Sequence, residues 1–214
     1  MDALKWAGII GAAALAVGAG VCAYVKGKPI PAKYVDFLQD GSVVLNKTGQ
    51  DELGKITKFI KGIKDSKIIS GKVLEEQNDI KTLCKIADGK ISEAVSNYNK
   101  DGVNFFFKND CVTGVLTEGL EWNGQKYQAR TVLTEVGASA DYTYNGITIK
   151  QIIDISNPEA PISKYLDGDV ILDECLVDGE NQGIIASKCA EYLQIPEEFV
   201  EKINFMKQKI VKLV

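Results

Sequence analysis

Hydrophobic and polar residues are arranged in three different patterns along the chain. Residues 6–25 form a run of 20 without charge. Apolar side chains recur at spacings of three and four, the helical period, over residues 51–63 and again over residues 77–98, and a strand is predicted between them over residues 67–74. From Val103 to Ile155 apolar and polar residues alternate, as in strands with one buried face. The patterns therefore predict an N-terminal hydrophobic helix, then helical segments, then a β-meander.

The uncharged run has the length of a membrane span. Twenty residues at 1.5 Å each match the roughly 30 Å hydrocarbon core of a bilayer. We therefore expect residues 1–27 to form a transmembrane anchor, residues 28–33 a linker and residues 34–214 one domain. Lys26, Lys28 and Lys33 follow the run, which favours a cytoplasmic domain. Cleavage as a signal peptide, or burial between the subunits of a polymer, remain the alternatives.

Small residues recur at every fourth position of this run, at Gly8, Ala12, Ala16 and Gly20. Such a stripe lets a second helix approach closely and predicts self-association. Ala and Gly are so abundant here that a stripe of this kind also arises by composition alone.

A long helix is predicted from about Gln77 to Asn97. Apolar residues at helical spacing would line one of its faces; they are Ile80, Leu83, Cys84, Ala87, Ile91, Ala94 and Tyr98.

Two dipeptides in the alternating region predict hairpins. Asn123-Gly124 and Asn145-Gly146 suit type I′ turns, in which both central residues need positive φ. Two-residue loops there place Glu121 opposite Lys126 and Asp141 opposite Lys150. Each hairpin then gains an opposite-charge pair on one face.

The C-terminal region is predicted to be helical. One helix should cover residues 181–193, and Pro196 suits the first turn of another. Spacings of four and three in this last helix produce a coiled-coil seam. Its members are Phe199, Ile203, Met206, Ile210 and Leu213. Docking on the domain's own sheet explains the seam as well as a partner helix does.

Together these elements predict an α+β fold. A transmembrane helix would precede one domain, in which an antiparallel meander of four or five strands packs against helices. The domain would end in the amphipathic C-terminal helix. Outside the hydrophobic run, the sequence shows no internal repeat.

Composition narrows the chemistry that this domain can perform. The chain has no histidine, which excludes Ser-His-Asp and Cys-His catalysis and zinc sites with imidazole ligands. The formal net charge is −4 and Arg130 is the only arginine, so nucleic acid is not an expected partner. No CxxC pair is present among the widely separated cysteines Cys84, Cys111, Cys175 and Cys189. No cofactor is expected.

The densest group of carboxylates lies near residue 170. Hard cations bind several converging oxygens, which makes Asp167, Asp169 and Asp173 the candidate metal ligands. The apolar residues between them, Val170-Ile171-Leu172, favour the simpler interpretation of a short buried segment alternating with solvated acids.

These observations favour a non-catalytic interaction or assembly module, tethered to the membrane. Its partners would be the lipid bilayer and further copies of itself, through the anchor or the C-terminal helix. A carboxylate-based enzyme or ligand-binding domain, using a divalent metal near Asp167, is the alternative. A polymer subunit with the hydrophobic helix buried between subunits is the second.

Overall fold

The computed structural model describes residues 29–39, 42–51, 71–87, 89–177 and 187–211. In these residues the chain is mostly β-strand, and eleven strands form one sheet. The α+β prediction with a meander of four or five strands is therefore wrong. Its error lies chiefly in the interval from residue 77 to 97, where strands replace the expected helix.

Thirteen strands lie in the described part of the chain. They are β1 (Ile30–Pro31), β2 (Val35–Phe37), β3 (Val43–Leu45), β4 (Gly71–Gln77), β5 (Ile80–Ala87), β6 (Lys90–Lys100), β7 (Val103–Asp110), β8 (Val115–Trp122), β9 (Gln125–Thr134), β10 (Gly137–Tyr144), β11 (Ile147–Asp154), β12 (Ile162–Asp167) and β13 (Val170–Leu176). The large sheet has the order β1-β4-β5-β6-β7-β8-β9-β10-β11-β12-β13, and β2 pairs with β3 separately.

Helices are few in the described residues. A 3-10 turn spans Ala32–Tyr34, residues 47–51 are helical, and two helices lie near the C-terminus. The latter are α1 (Ser187–Tyr192) and α2 (Glu197–Val211). Helix α2 begins directly after Pro196, as predicted, and its first turn carries Glu197 and Glu198, which suit the positive end of the helix dipole.

By its contacts the chain divides into two compact units. In described residues, the first comprises 29–98 and 108–113, and the second comprises 99–107 and 114–211, each with the gaps given above. The first unit has its own apolar core, made by Ile30, Val35, Val43, Val73, Cys84 and Ile86. Short β1 runs parallel to β4, with Ile30 opposite Val73, and closes one side of this core.

The second unit is a meander covered by α2. Its hairpins have the predicted registers, with Glu121 opposite Lys126 and Asp141 opposite Lys150. Both hairpin predictions are therefore confirmed. The Phe199 ring of α2 lies 5.3 Å from the Tyr144 ring and 6.1 Å from the Trp122 ring, so α2 packs on the sheet through aromatic contacts.

The strands follow a structural repeat that the sequence does not reveal. Two-residue loops begin at Asn78, Asp101, Asn123, Asn145 and Gly168, and all five of these residues have positive φ. The spacings are therefore 23, 22, 22 and 23 residues. The fifth residue before each loop is buried, but these residues are Val73, Ser96, Glu118, Ala140 and Ser163. Turn position and burial therefore recur at this spacing whereas residue type does not, so the repeat is structural and the sequence itself shows no internal repeat.

The predicted helix over 77–97 fails for a related reason. Ile80 and Cys84 are four residues apart, a spacing that suits both one helix face and alternate positions of one strand. In the structure both lie on β5, and Gly89, at φ 76°, turns the chain back into β6. A register shift at Lys85/Ile86 further disguises the period of two.

The membrane prediction also requires correction. No helix among the described residues combines the length and the apolar character that a bilayer crossing demands. The predicted span, residues 6–25, lies outside the described residues. Ala and Gly rather than Leu and Ile dominate that run, so its hydrophobicity is modest. The length of the uncharged run was therefore too weak a basis for predicting insertion. The single-pass membrane location and the cytoplasmic assignment that depended on it are thus unsupported.

Candidate functional site

The sheet of the second unit has two unlike faces. Alternate residues of β9 to β11, such as Tyr127, Tyr142 and Ile149, are buried on the side that α2 covers. The intervening residues are exposed on the other side and are mostly polar, as at Gln128 and Lys150. This second side is called the open face below. Function must be sought on the open face, on the strand edges, or among polar groups buried beneath the helices.

Beneath α2 lies a buried charge pair. The Lys207 ammonium forms a salt bridge with the Glu118 carboxylate, which also accepts a hydrogen bond of 2.8 Å from the Tyr127 hydroxyl. Burial raises the pKa of Tyr127, and the neighbouring Glu118 raises it further. Because all three side chains are buried, a substrate in solution cannot reach them, and their effect is to fix α2 on the sheet.

A second buried polar cluster centres on Gln151. Its amide oxygen accepts a hydrogen bond from the Tyr142 hydroxyl at 3.2 Å, and its amide nitrogen donates to Ser163 at 2.9 Å and Tyr165 at 3.3 Å. These contacts satisfy polar groups that would otherwise cost free energy inside the sheet–helix layer. They join β10, β11 and β12 by side chains as well as by backbone.

The open face carries a shallow depression of about 310 Å³ above Gly119. A Cβ atom at Gly119 would lie 2.3 Å from Cε1 of Phe106, so glycine allows the Phe106 ring to rest against the strand. The surface of the depression is mainly apolar, and its polar groups come from Asn104, Gln128 and the Glu121–Lys126 pair, whose charged atoms are 2.5 Å apart. Because that pair is self-neutralising, the lining can offer hydrogen bonds but presents no nucleophile with an adjacent base.

Strand β13 is the most unusual surface feature of the second unit. It pairs only with β12 and ends the strand order of the sheet. Val170, Ile171, Leu172 and Leu176 are 64%, 55%, 39% and 63% exposed. Four of the ten exposed large hydrophobic residues identified in the described part of the chain thus lie in one strand of seven residues.

The sequence interpretation of this segment was therefore wrong about burial. Alternation with acids suggested a buried strand, but β13 has a neighbour on only one side. The register shifts between Tyr165 and Leu166, so that Asp173 lies opposite Tyr165 and Leu172 is the extra residue of a bulge. The sequence did offer one signal that β13 is an edge strand: it is the last strand before the strand pattern ends.

The three candidate metal ligands are placed differently from one another. Asp167 and Asp169 are exposed at the β12–β13 loop, whereas Asp173 forms a salt bridge with Lys188 of α1. This contact with the Lys188 ammonium lowers the pKa of Asp173. Among the described residues, no group of three His, Cys, Asp or Glu side chains is arranged to hold a metal ion.

The seam residues of the C-terminal helix face the protein's own sheet. Phe199, Ile203, Met206 and Ile210 are all buried, and the exposed aromatic residue of α2 is Phe205. Leu213 lies outside the described residues, as do the predicted helix-packing residues Gly8, Ala12, Ala16 and Gly20.

The four cysteines of the described residues are free thiols. Burial raises the pKa of Cys84 and of Cys189 to about 12. Cys111 is exposed in a turn, yet partial burial of its thiol and the adjacent Asp110 raise its pKa as well. A raised thiol pKa reduces the thiolate fraction, so none of these three is activated as a nucleophile.

No protein-family model matches this chain, and no curated protein or solved structure matches it either.

Proposed function

We propose that this protein is a non-catalytic interaction module that binds another protein along strand β13. The observation that carries the proposal is the concentration of exposed apolar side chains on this one-sided strand, with Val170, Ile171 and Leu176 each more than half exposed. Exposed apolar surface of this kind is typical of interaction sites.

Edge strands normally carry features that discourage pairing. Inward-pointing or exposed charges and bulges are the usual ones. Strand β13 has a bulge at Leu172, but its charges are engaged within the protein: Asp173 with Lys188, and Glu174 with Lys164 at 2.8 Å. Its C-terminal half, Asp173–Leu176, pairs regularly with β12, and no described strand pairs with its outer edge. On that edge the Glu174 N–H donates a hydrogen bond of 2.8 Å to Asp173 Oδ1, which a partner strand would have to replace.

The geometry of the remaining candidate sites supports binding rather than catalysis. The buried Glu118–Lys207 pair is closed to solvent, and the depression above Gly119 offers apolar surface, hydrogen-bonding groups and a neutralised pair, but no nucleophile with an adjacent base. A rigid sheet fixed by α2, with one apolar edge, is suited to recognising an extended segment by strand addition.

Site-specific photocrosslinking in the source cells tests the proposal. A photoreactive phenylalanine analogue is placed at Leu176, and in a matched control at Ile147, which is 60% exposed on an inner hairpin. We expect a discrete crosslinked adduct from position 176 and none from position 147. Adducts of equal yield at both positions, or none at position 176, would contradict the proposed function.

A further inference from the structure

We infer that the partner of strand β13 contributes an extended segment in which a lysine or arginine is flanked, two residues away on each side, by apolar residues. This inference rests on the proposed function and specifies the chemistry of its partner. The segment adds antiparallel to the outer edge of β13, so that its cation lies opposite Glu174.

The inner neighbour of β13 shows which side chains fit it. On β12, Ile162 lies opposite Leu176, Lys164 opposite Glu174, and Leu166 opposite Ile171. The Lys164 ammonium is 2.8 Å from the Glu174 carboxylate, and both side chains remain partly exposed. Cross-strand pairs of these types are the ones that stabilise antiparallel sheets. A strand added to the outer edge would contact Leu176, Glu174 and Ile171 from the side opposite β12.

Charge distinguishes this occupant from a second copy of β13. Residues 167–176 contain four carboxylates, at Asp167, Asp169, Asp173 and Glu174, and no lysine or arginine. If two β13 strands paired antiparallel with Ile171 opposite Leu176, the bulge at Leu172 would place Glu174 of one copy opposite Glu174 of the other. Like charges directly opposite each other destabilise a strand pair, so a cationic segment of another protein is the favoured occupant.

The apolar residues require the partner to be extended rather than helical. Ile171 and Leu176 flank Glu174 on the open face, whereas Asp173 and Cys175 point to the side occupied by α1. Only a strand presents side chains to one face at every second residue and also supplies backbone groups to the edge. Backbone hydrogen bonds would supply affinity, and the cation opposite Glu174 would supply specificity.

The probe for a direct test is a fluorescent synthetic peptide, Pro-Ile-Ser-Lys-Tyr-Leu-Asp, which copies residues 161–167. Its anisotropy is measured as the full-length protein is added. We expect saturable binding that a Glu174→Lys substitution weakens about fivefold, the effect of losing one cross-strand charge pair. A second peptide, with glutamate in place of its lysine, should prefer the Glu174→Lys protein to the wild type.

Glu121→Lys provides the matched control. Glu121 also faces an exposed lysine across a hairpin of the open face, so the substitution makes the same charge change and breaks an equivalent pair. We expect it to leave peptide affinity unchanged. Hydrogen exchange on the bound protein should show new protection within Asp173–Leu176 and retained protection in β12, which excludes simple replacement of β12 by the peptide.

Three results would overturn the inference. Equal affinity of the wild type for the lysine and glutamate peptides would show that the partner needs no cation. Absence of saturable binding by either peptide would show that β13 does not bind an extended segment of this kind. If the adduct from position 176 proved to be a dimer of this chain, a second copy would be the occupant. In the first two cases an adduct with another protein, confined to position 176, would leave the proposed function standing, whereas the absence of that adduct would refute both the function and the inference.

Discussion

At the scale of single residues, the buried pair of Glu118 and Lys207 is the most consequential contact between α2 and the sheet. A buried charge is tolerated when it is paired and hydrogen-bonded, and Glu118 has both an ammonium and the Tyr127 hydroxyl. The penalty for removing one partner greatly exceeds the net stabilisation from the pair, because the remaining charge is left inside a region with little water.

We predict that Lys207→Met lowers the free energy of unfolding by about 3–5 kcal/mol. The double variant Glu118→Gln/Lys207→Met, which keeps a hydrogen-bond acceptor for Tyr127 and buries no charge, should recover most of that loss. Urea unfolding followed by circular dichroism measures all three proteins. If the double variant were as unstable as the single one, loss of Lys207 packing rather than the orphaned carboxylate would be the cause.

At the scale of elements, Glu93 joins strands β5, β6 and β7. Its carboxylate lies 2.5 Å from the Lys85 ammonium and 2.5 Å from the Lys108 ammonium. Hydrogen bonds from Lys108 and then Lys85 lower the pKa of Glu93 below its usual value of 4.5. A lowered folded-state pKa stabilises the fold above the unfolded value, and that stabilisation is lost as the pH falls through the folded value.

The melting temperature of Glu93→Gln should therefore lie below that of the wild type at neutral pH, and the difference should shrink as the pH falls below about 4.5. The control is Glu76→Gln, which removes a carboxylate that pairs with one well-exposed lysine, Lys81. We expect a smaller difference for the control at neutral pH. A difference for Glu93→Gln that stayed constant down to pH 3 would show that the ion pairs do not supply the stabilisation.

Element prediction from sequence succeeded where local chemistry dictates the backbone. Asn123-Gly124 and Asn145-Gly146 specify their turns, and the registers then follow by counting. It failed over β5 and β6 because spacings of four satisfy a helix and a strand alike, and because the loop at Asn78-Asp79 lacks the glycine that marks a hairpin. The edge at β13 was missed because local periodicity does not show whether a strand has a second neighbour in the sheet.

At the scale of the whole molecule, the repeating hairpins make stability a sum of neighbour interactions. Within each unit, the paired antiparallel strands are neighbours in sequence, as in β8 to β13, so contacts are local along the chain. In such arrays each element is stabilised mainly by the elements beside it. Helix α2 is the exception, because it returns from the C-terminus to cover the middle hairpins of the second unit.

This arrangement predicts a localised response to a defect under α2. Phe199 is fully buried against Trp122 and Tyr144, so Phe199→Ala should cost about 3–5 kcal/mol. Native-state hydrogen exchange should show the loss of protection in β8 to β11, while the β4–β5 hairpin, whose side chains pack in the separate core of the first unit, keeps its protection. Equal loss in both places would mean that the two cores unfold as one cooperative structure. In that event each hairpin would not be stabilised mainly by the hairpins beside it, and α2 would control the stability of the entire sheet.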